Sequence, residues 1–218
     1  LLCHGITDLL PKDNLRKSIL KKFKFGGQAN IASYGFCLPN KGYKELIHAI
    51  NLLRETDIEI RLTIFSAIYS DQYAYFFEEL KQLIEDLNLN KLVSIVGDYM
   101  TDQNTIDTLN TFDCIVFPYQ QSNESSSAAV RQGLAALRPV LVTPLDIFSD
   151  VSDLVDYLPG LSPQHIADGI YYWFKSEKLS RFKSDYLNRK ELLSQRRFTH
   201  VRENLINTLK SLELNSTL

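Results

Sequence analysis

Three short stretches combine residues that could hold an anion and a polyol. In "GFCLPNKG", residues 35–42, Gly35 and Gly42 would let the backbone come close to a ligand, and Lys41 supplies a point charge suited to phosphate. The spacing is not that of a P-loop, which needs GxxxxGK[ST]. In "SIVGDYM", residues 94–100, Gly97 would end a strand, and backbone groups at Asp98, Tyr99 and Met100 could face a flat ring such as a nucleobase. In "NESSSAAVRQGLAALRPV", residues 123–140, Ser125, Ser126 and Ser127 would form a helix's first turn. The unpaired N–H groups and positive dipole end of such a turn favour an anion. Glu124 stands just ahead of it and only accepts hydrogen bonds, so hydroxyl groups of a polyol are its natural partners. Taken singly, these residues have plainer readings: a surface lysine at Lys41, a strand-ending glycine at Gly97.

The elements that must position these stretches follow from apolar spacing. "NIASYGFC" (30–37) reads as a strand, followed by a tight loop and a helix in "YKELIHAINLLRE", where Leu46, Ile47, Ile50 and Leu53 recur at helical spacing. The unit repeats with "EIRLTIFSA" and "DQYAYFFEELKQLIEDLNL", then with "KLVSIVG" and the capped helix "TDQNTIDTLNTF". "DCIVFPY" and "RPVLVTP" continue the strands, with the serine-led helix between them. Strands that are apolar throughout belong to a sheet covered on both faces, which predicts an α/β fold with a doubly wound parallel sheet. Ligands of such sheets bind beyond the carboxyl ends of the strands, where the three polar loops fall. From Pro163 the pattern is helical in three segments: "PQHIADGIYYWFKSE", "KLSRFKSDYLNRKELLSQRRF" and "THVRENLINTLKSLEL".

Composition narrows the partners. The 24 basic and 26 acidic residues leave a net charge of −2, so nothing global attracts a polyanion and nucleic acid is not an expected partner. Cys3, Cys37 and Cys114 are odd in number and form no CxxC pair, and His4, His48, His165 and His200 are scattered, so no metal site or disulfide framework is expected. Cys114 reads as core and His48 as structural. No apolar run approaches the ~20 residues that span a bilayer, and a soluble, cytoplasmic protein is expected. Between Lys175 and Lys210 ten Lys or Arg face four Asp or Glu. Such a basic tail is a solvated helix face, or a contact with the inner face of an anionic membrane. The chain opens "LLCHGITDLL" and its single methionine is Met100, which reads as a fragment or processed product lacking an N-terminal part.

Taken in order, "GFCLPNKG", the strand ending at Gly97, "FPY", the glutamate leading a small-residue helix, and "RPVLVTP" resemble the C-terminal, donor-binding domain of retaining GT-B glycosyltransferases. That group includes glycogen-synthase-like and polysaccharide-assembling enzymes. The resemblance runs from about His4 to Phe198, and "CHGITD" is similar to the family's linker into this domain. It implies a single Rossmann-like domain over residues 1–218, with 1–28 as a leading linker, 176–218 as a helical tail and an acceptor domain outside the chain. It further implies that Lys41 contacts the donor diphosphate beside Gly35, and that Asp98 to Met100 meet the base. Glu124 would hold the sugar's hydroxyls, and amides at Ser125 to Ser127 phosphate or sugar oxygens. The substrate would be a nucleotide-diphosphate sugar of unnamed base, its hexose passing with retention to a saccharide or lipid-linked acceptor, with no obligatory metal or cofactor.

Two positions depart from the pattern. Phe36 stands where an arginine often follows the first-loop glycine, leaving Arg131 or another domain to substitute. Gln132 stands eight positions after Glu124, where a second glutamate usually binds the ribose. Ala67 also replaces a common glycine. The alternatives are a sugar-nucleotide epimerase of the same architecture and a non-catalytic α/β domain whose site has decayed.

Overall fold

The computed structural model describes residues 5–12, 28–178, 182 and 186–215. Most of the leading segment 1–28, with Cys3 and His4, lies outside the described residues. Six strands form one sheet: β1 (Gln28–Phe36), β2 (Glu59–Ala67), β3 (Val93–Val96), β4 (Cys114–Phe117), β5 (Val140–Val142) and β6 (Asp156–Tyr157). Their order is β3-β2-β1-β4-β5-β6, and every pairing is parallel. This is a doubly wound α/β sheet, with the reversal of strand order between β1 and β4.

Helices cover both faces because successive strand residues point to opposite sides. Ile31 of β1 joins a core with α1 (Tyr43–Leu53), α2 (Ala74–Asp86) and α5 (Pro163–Lys175). Its neighbour Ala32 joins a second core with α3 (Asp102–Leu109), α4 (Ala128–Ala135) and the short 3-10 segment Asp146–Val151. β4 and β5, "CIVF" and "VLV", are buried along their whole length, as strands with a helix layer on each face must be. Cys37 and Cys114 are buried free thiols in the first core, and burial pushes the Cys114 thiol well above its usual range.

The C-terminal part breaks close to the joint that its sequence suggests between Phe198 and Thr199. The described chain has α6 (Tyr186–Gln195), then a break at Arg196 and Arg197, then α7 (Phe198–Asn215), so the second helix begins one residue earlier than its sequence reading. The break exists because the chain start docks there. Ile6 N–H donates to Arg196 O at 2.7 Å, and Phe198 N–H donates to Ile6 O at 2.9 Å, a one-residue strand pairing that a helix would forbid.

Part of the tail's basic surplus is engaged by the rest of the fold. Lys175 pairs with Asp57, and Lys178 with Asp156 at 2.9 Å. Arg196 makes a two-pronged bond to Asp153 at 2.8 and 2.9 Å, and Arg197 donates to Asp8 O at 2.7 Å. These four cations are engaged, whereas Arg202 and Lys210 lie exposed on α7, as a solvated helix face would have them. No described helix is long and apolar enough to cross a membrane.

Candidate functional site

Beyond Ala32 and Ile115 no further residues of β1 and β4 pair, so the strands part and leave a crevice at their carboxyl ends. A cleft of about 290 Å³ opens there. Its walls come from the ends of β1 and β2 (Gly35, Phe36, Ala67), the loop after β3 (Asp98, Tyr99, Met100), and the approach and start of α4 (Glu124, Ser127, Ala128, Ala129, Gln132). Lys41 and Tyr119 close its floor. The structure thus brings Gly35, Lys41, Asp98, Tyr99, Met100, Glu124, Ser127 and Gln132 together, and places Gly42, Ser125, Ser126 and Arg131 elsewhere.

Gly42 has a structural duty. It sits at φ 75° ahead of α1, and a Cβ there would lie 1.8 Å from Pro118 O. The glycine lets the first loop close on the loop after β4, and Gln120 N–H to Asn40 O at 2.9 Å then locks the two together. This contact carries Lys41 into the cleft. Lys41 is buried, pairs with no carboxylate among the described residues, and holds its ammonium 3.9 Å from the centre of the Tyr119 ring.

The serine run begins the helix later than its sequence suggests. Ser127 is the N-cap: its Oγ accepts from Val130 N–H at 3.3 Å and contacts Tyr119 Oη at 3.0 Å. Ser125 and Ser126 precede the helix outside the cleft, and the uncapped first-turn amides belong to Ala128 and Ala129, which line it. Any of the three hydroxyls could cap, and the choice falls on the one that reaches Tyr119.

Arg131 does not replace the missing cation at Phe36. Its side chain is buried, donates to Ser127 O at 2.9 Å, and is tied to Asp150 of the segment after β5. Phe36 is partly exposed and meets Tyr69 edge-on, ring centres 5.1 Å apart. Gln132 Nε2 donates to Asp102 Oδ1 at 2.8 Å, while its Oε1 is buried without a partner. Burial also raises the Tyr34 phenol on the cleft wall, keeping it neutral and able to donate. His48 is exposed on the outer side of α1, away from the cleft. Among the described residues no three His, Cys, Asp or Glu gather as a metal site.

Sequence reasoning missed Tyr119, Asp102, Ala128 and Ala129. Tyr119 carried a signal, since "FPY" ends a strand beside the other loops. Asp102 carried none, because "TD" before a helix reads as a cap.

Residues 16–186 match the family model "Glycosyl transferases group 1". The chain belongs to the group 1 glycosyltransferases. Among solved structures, this group 1 chain is similar to the sucrose-phosphate synthase of Thermosynechococcus elongatus, with a TM-score of 0.72 and 14% identity over 99% of this chain and 53% of that one. It is similar to Anabaena Alr3699/HepE in complex with UDP and glucose, with a TM-score of 0.70 and 15% identity over 84% and 48%. The C-terminal domain of a group 1 family protein, LpcC, from Francisella tularensis gives a TM-score of 0.64 at 19% identity over 85% of this chain and 94% of that one. At these identities the likeness is one of fold. The chain spans about half the length of the synthase and the Anabaena protein. A search of curated proteins gives no match.

Proposed function

We propose that the chain is the donor-binding part of a hexosyltransferase that takes its sugar from a nucleotide diphosphate and passes it, with retention, to a saccharide or lipid-linked acceptor. The observation that carries this is Lys41: a buried cation without a carboxylate partner among the described residues, facing the same cleft as the free amides of Ala128 and Ala129. A diphosphate leaving an anomeric carbon accumulates negative charge, and a fixed cation with oriented N–H dipoles stabilises it without reorganisation. Glu124, exposed on the same wall, accepts from the hydroxyls of the transferred sugar. Asp98 to Met100, on the β3 side, meet the base. The Anabaena structure with UDP and glucose supports a nucleotide sugar as ligand. No metal or cofactor is required by this reading, and its acceptor would be held by another domain. The site of action would be the cytoplasm. Contact with a membrane's inner face would not draw on Lys175, Lys178, Arg196 or Arg197, which are already engaged.

Calorimetric titration with UDP, GDP and ADP tests the reading. At least one should bind, and Lys41→Ala and Glu124→Ala should weaken binding of the nucleotide and of its sugar conjugate respectively. Silence with all three nucleotides would overturn it.

A second reading, a site that binds without transferring, is favoured by one observation. Arg131 is committed to Asp150, so Phe36 leaves the diphosphate a single cation. Under that reading Phe36→Arg raises nucleotide affinity sharply above the parent's; an unchanged affinity speaks for the transferase.

A further inference from the structure

Gln132 poses a problem that the preceding reading does not solve. A residue expected to offer a carboxylate to the ribose offers an amide, whose oxygen is buried without a donor and whose nitrogen is turned to Asp102. The amide's orientation is forced. Turned the other way, its oxygen would face the carboxylate, acceptor against acceptor. Asp102 opens α3 on the exposed wall of the cleft, and its bond to Gln132 Nε2 occupies one oxygen; its second oxygen has no partner among the described residues.

The position of this pair matters. Asp102 stands two residues beyond Met100, at the end of the segment assigned to the base. Gln132 stands one helical turn beyond Ala128 and Ala129, whose amides are assigned to phosphate. In a nucleotide the ribose lies between base and phosphate. A carboxylate there accepts both hydroxyls of a vicinal diol, with charge assistance that an amide lacks.

We propose that Asp102, held in place by Gln132, is the carboxylate that grips the ribose, so that the charge expected at 132 has moved one hydrogen bond away to 102. Asp102 is then the residue that makes the site prefer ribo- over 2′-deoxyribonucleotides, and Gln132 is its positioning residue. This rests on the nucleotide reading above. An acidic residue in a helix's first turn also favours the helix itself, so the test must separate a ligand contact from helix stability.

The measurement is the affinity of the 218-residue chain for UDP, GDP and ADP and for the 2′-deoxy form of whichever binds tightest, together with the unfolding temperature. The parent should favour the ribo form by at least about tenfold, the scale of one lost charge-assisted hydrogen bond. Asp102→Asn should bring the ratio near one by weakening the ribo form alone. The swap Asp102→Asn with Gln132→Glu should restore the preference, since amide and carboxylate exchange ends of the same bond. A parent without ribo preference overturns the proposal. So does an Asp102→Asn variant that keeps its ratio, whether or not its unfolding temperature falls. Failure of every nucleotide to bind the parent overturns the nucleotide reading itself, and this proposal with it.

Discussion

The cleft and the C-terminal seam use charge in opposite ways. Along the seam, Lys175, Lys178, Arg196 and Arg197 each meet a carboxylate or carbonyl of the sheet domain or the chain's start. In the cleft, Lys41 rests on an aromatic ring, Glu124 joins no ion pair among the described residues, and the Gln132 amide oxygen has no donor. An unmet buried polar group costs about 1–3 kcal/mol, and such groups are not confined to the cleft, since Arg131 Nε and Asp150 Oδ1 are also buried without partners; the contrast lies in the paired and unpaired charges.

Arg131 offers the strongest way to break this contrast, since it lies next to Gln132 yet behaves like the seam. Arg131→Ala strips Asp150 of its partner and should lower unfolding free energy by about 3 kcal/mol in chemical denaturation, with nucleotide affinity unchanged. A drop in affinity at intact stability would move Arg131 back to the ligand. Lys41→Met is the converse. It keeps the packed stem, so stability should hold within about 0.5 kcal/mol, while diphosphate affinity falls by about 2 kcal/mol, near thirtyfold, by calorimetry. On the seam, Arg196→Ala should cost about 1 kcal/mol of stability and leave the cleft's affinity alone.

The smallest effect is acid sensitivity. Hydrogen bonds from Thr199 hold Asp8 below the ordinary aspartate range. A depressed folded value means that this contribution is present above the unfolded value and lost as pH falls through the folded one. Unfolding temperatures should show Asp8→Asn less stable than the parent at pH 6, the gap closing in acid below the usual aspartate range. A gap that widens on acidification contradicts the assignment.

How much of this was legible depends on the range of the interaction. β4 and β5 were plain because their surroundings are apolar on both faces and so are their sequences. The gathering of Lys41, Glu124 and Asp98 to Met100 followed from parallel topology, which sends alternate loops to one edge. What stayed hidden depends on a partner distant in sequence. Arg131 finds Asp150 nineteen positions on, Gln132 finds Asp102 thirty positions back, and Ser127 outcompetes its neighbours through Tyr119. The strand-like pairing of Ile6 with Arg197 likewise joins residues from the two ends of the described chain.

Tyr119 gives the cleft a readiness that a carboxylate could not. Its hydroxyl meets the cap of α4 and its ring carries Lys41, so the two tasks fall on different parts of one side chain. An incoming anion that draws the ammonium off the ring gives up a contact worth about 0.5–2 kcal/mol and leaves the hydroxyl in place. Had an acid held Lys41, the ligand would first have to displace a rival of its own charge. Under the proposed reading, the lysine has no such rival to shed, and its move from ring to phosphate costs only that ring contact.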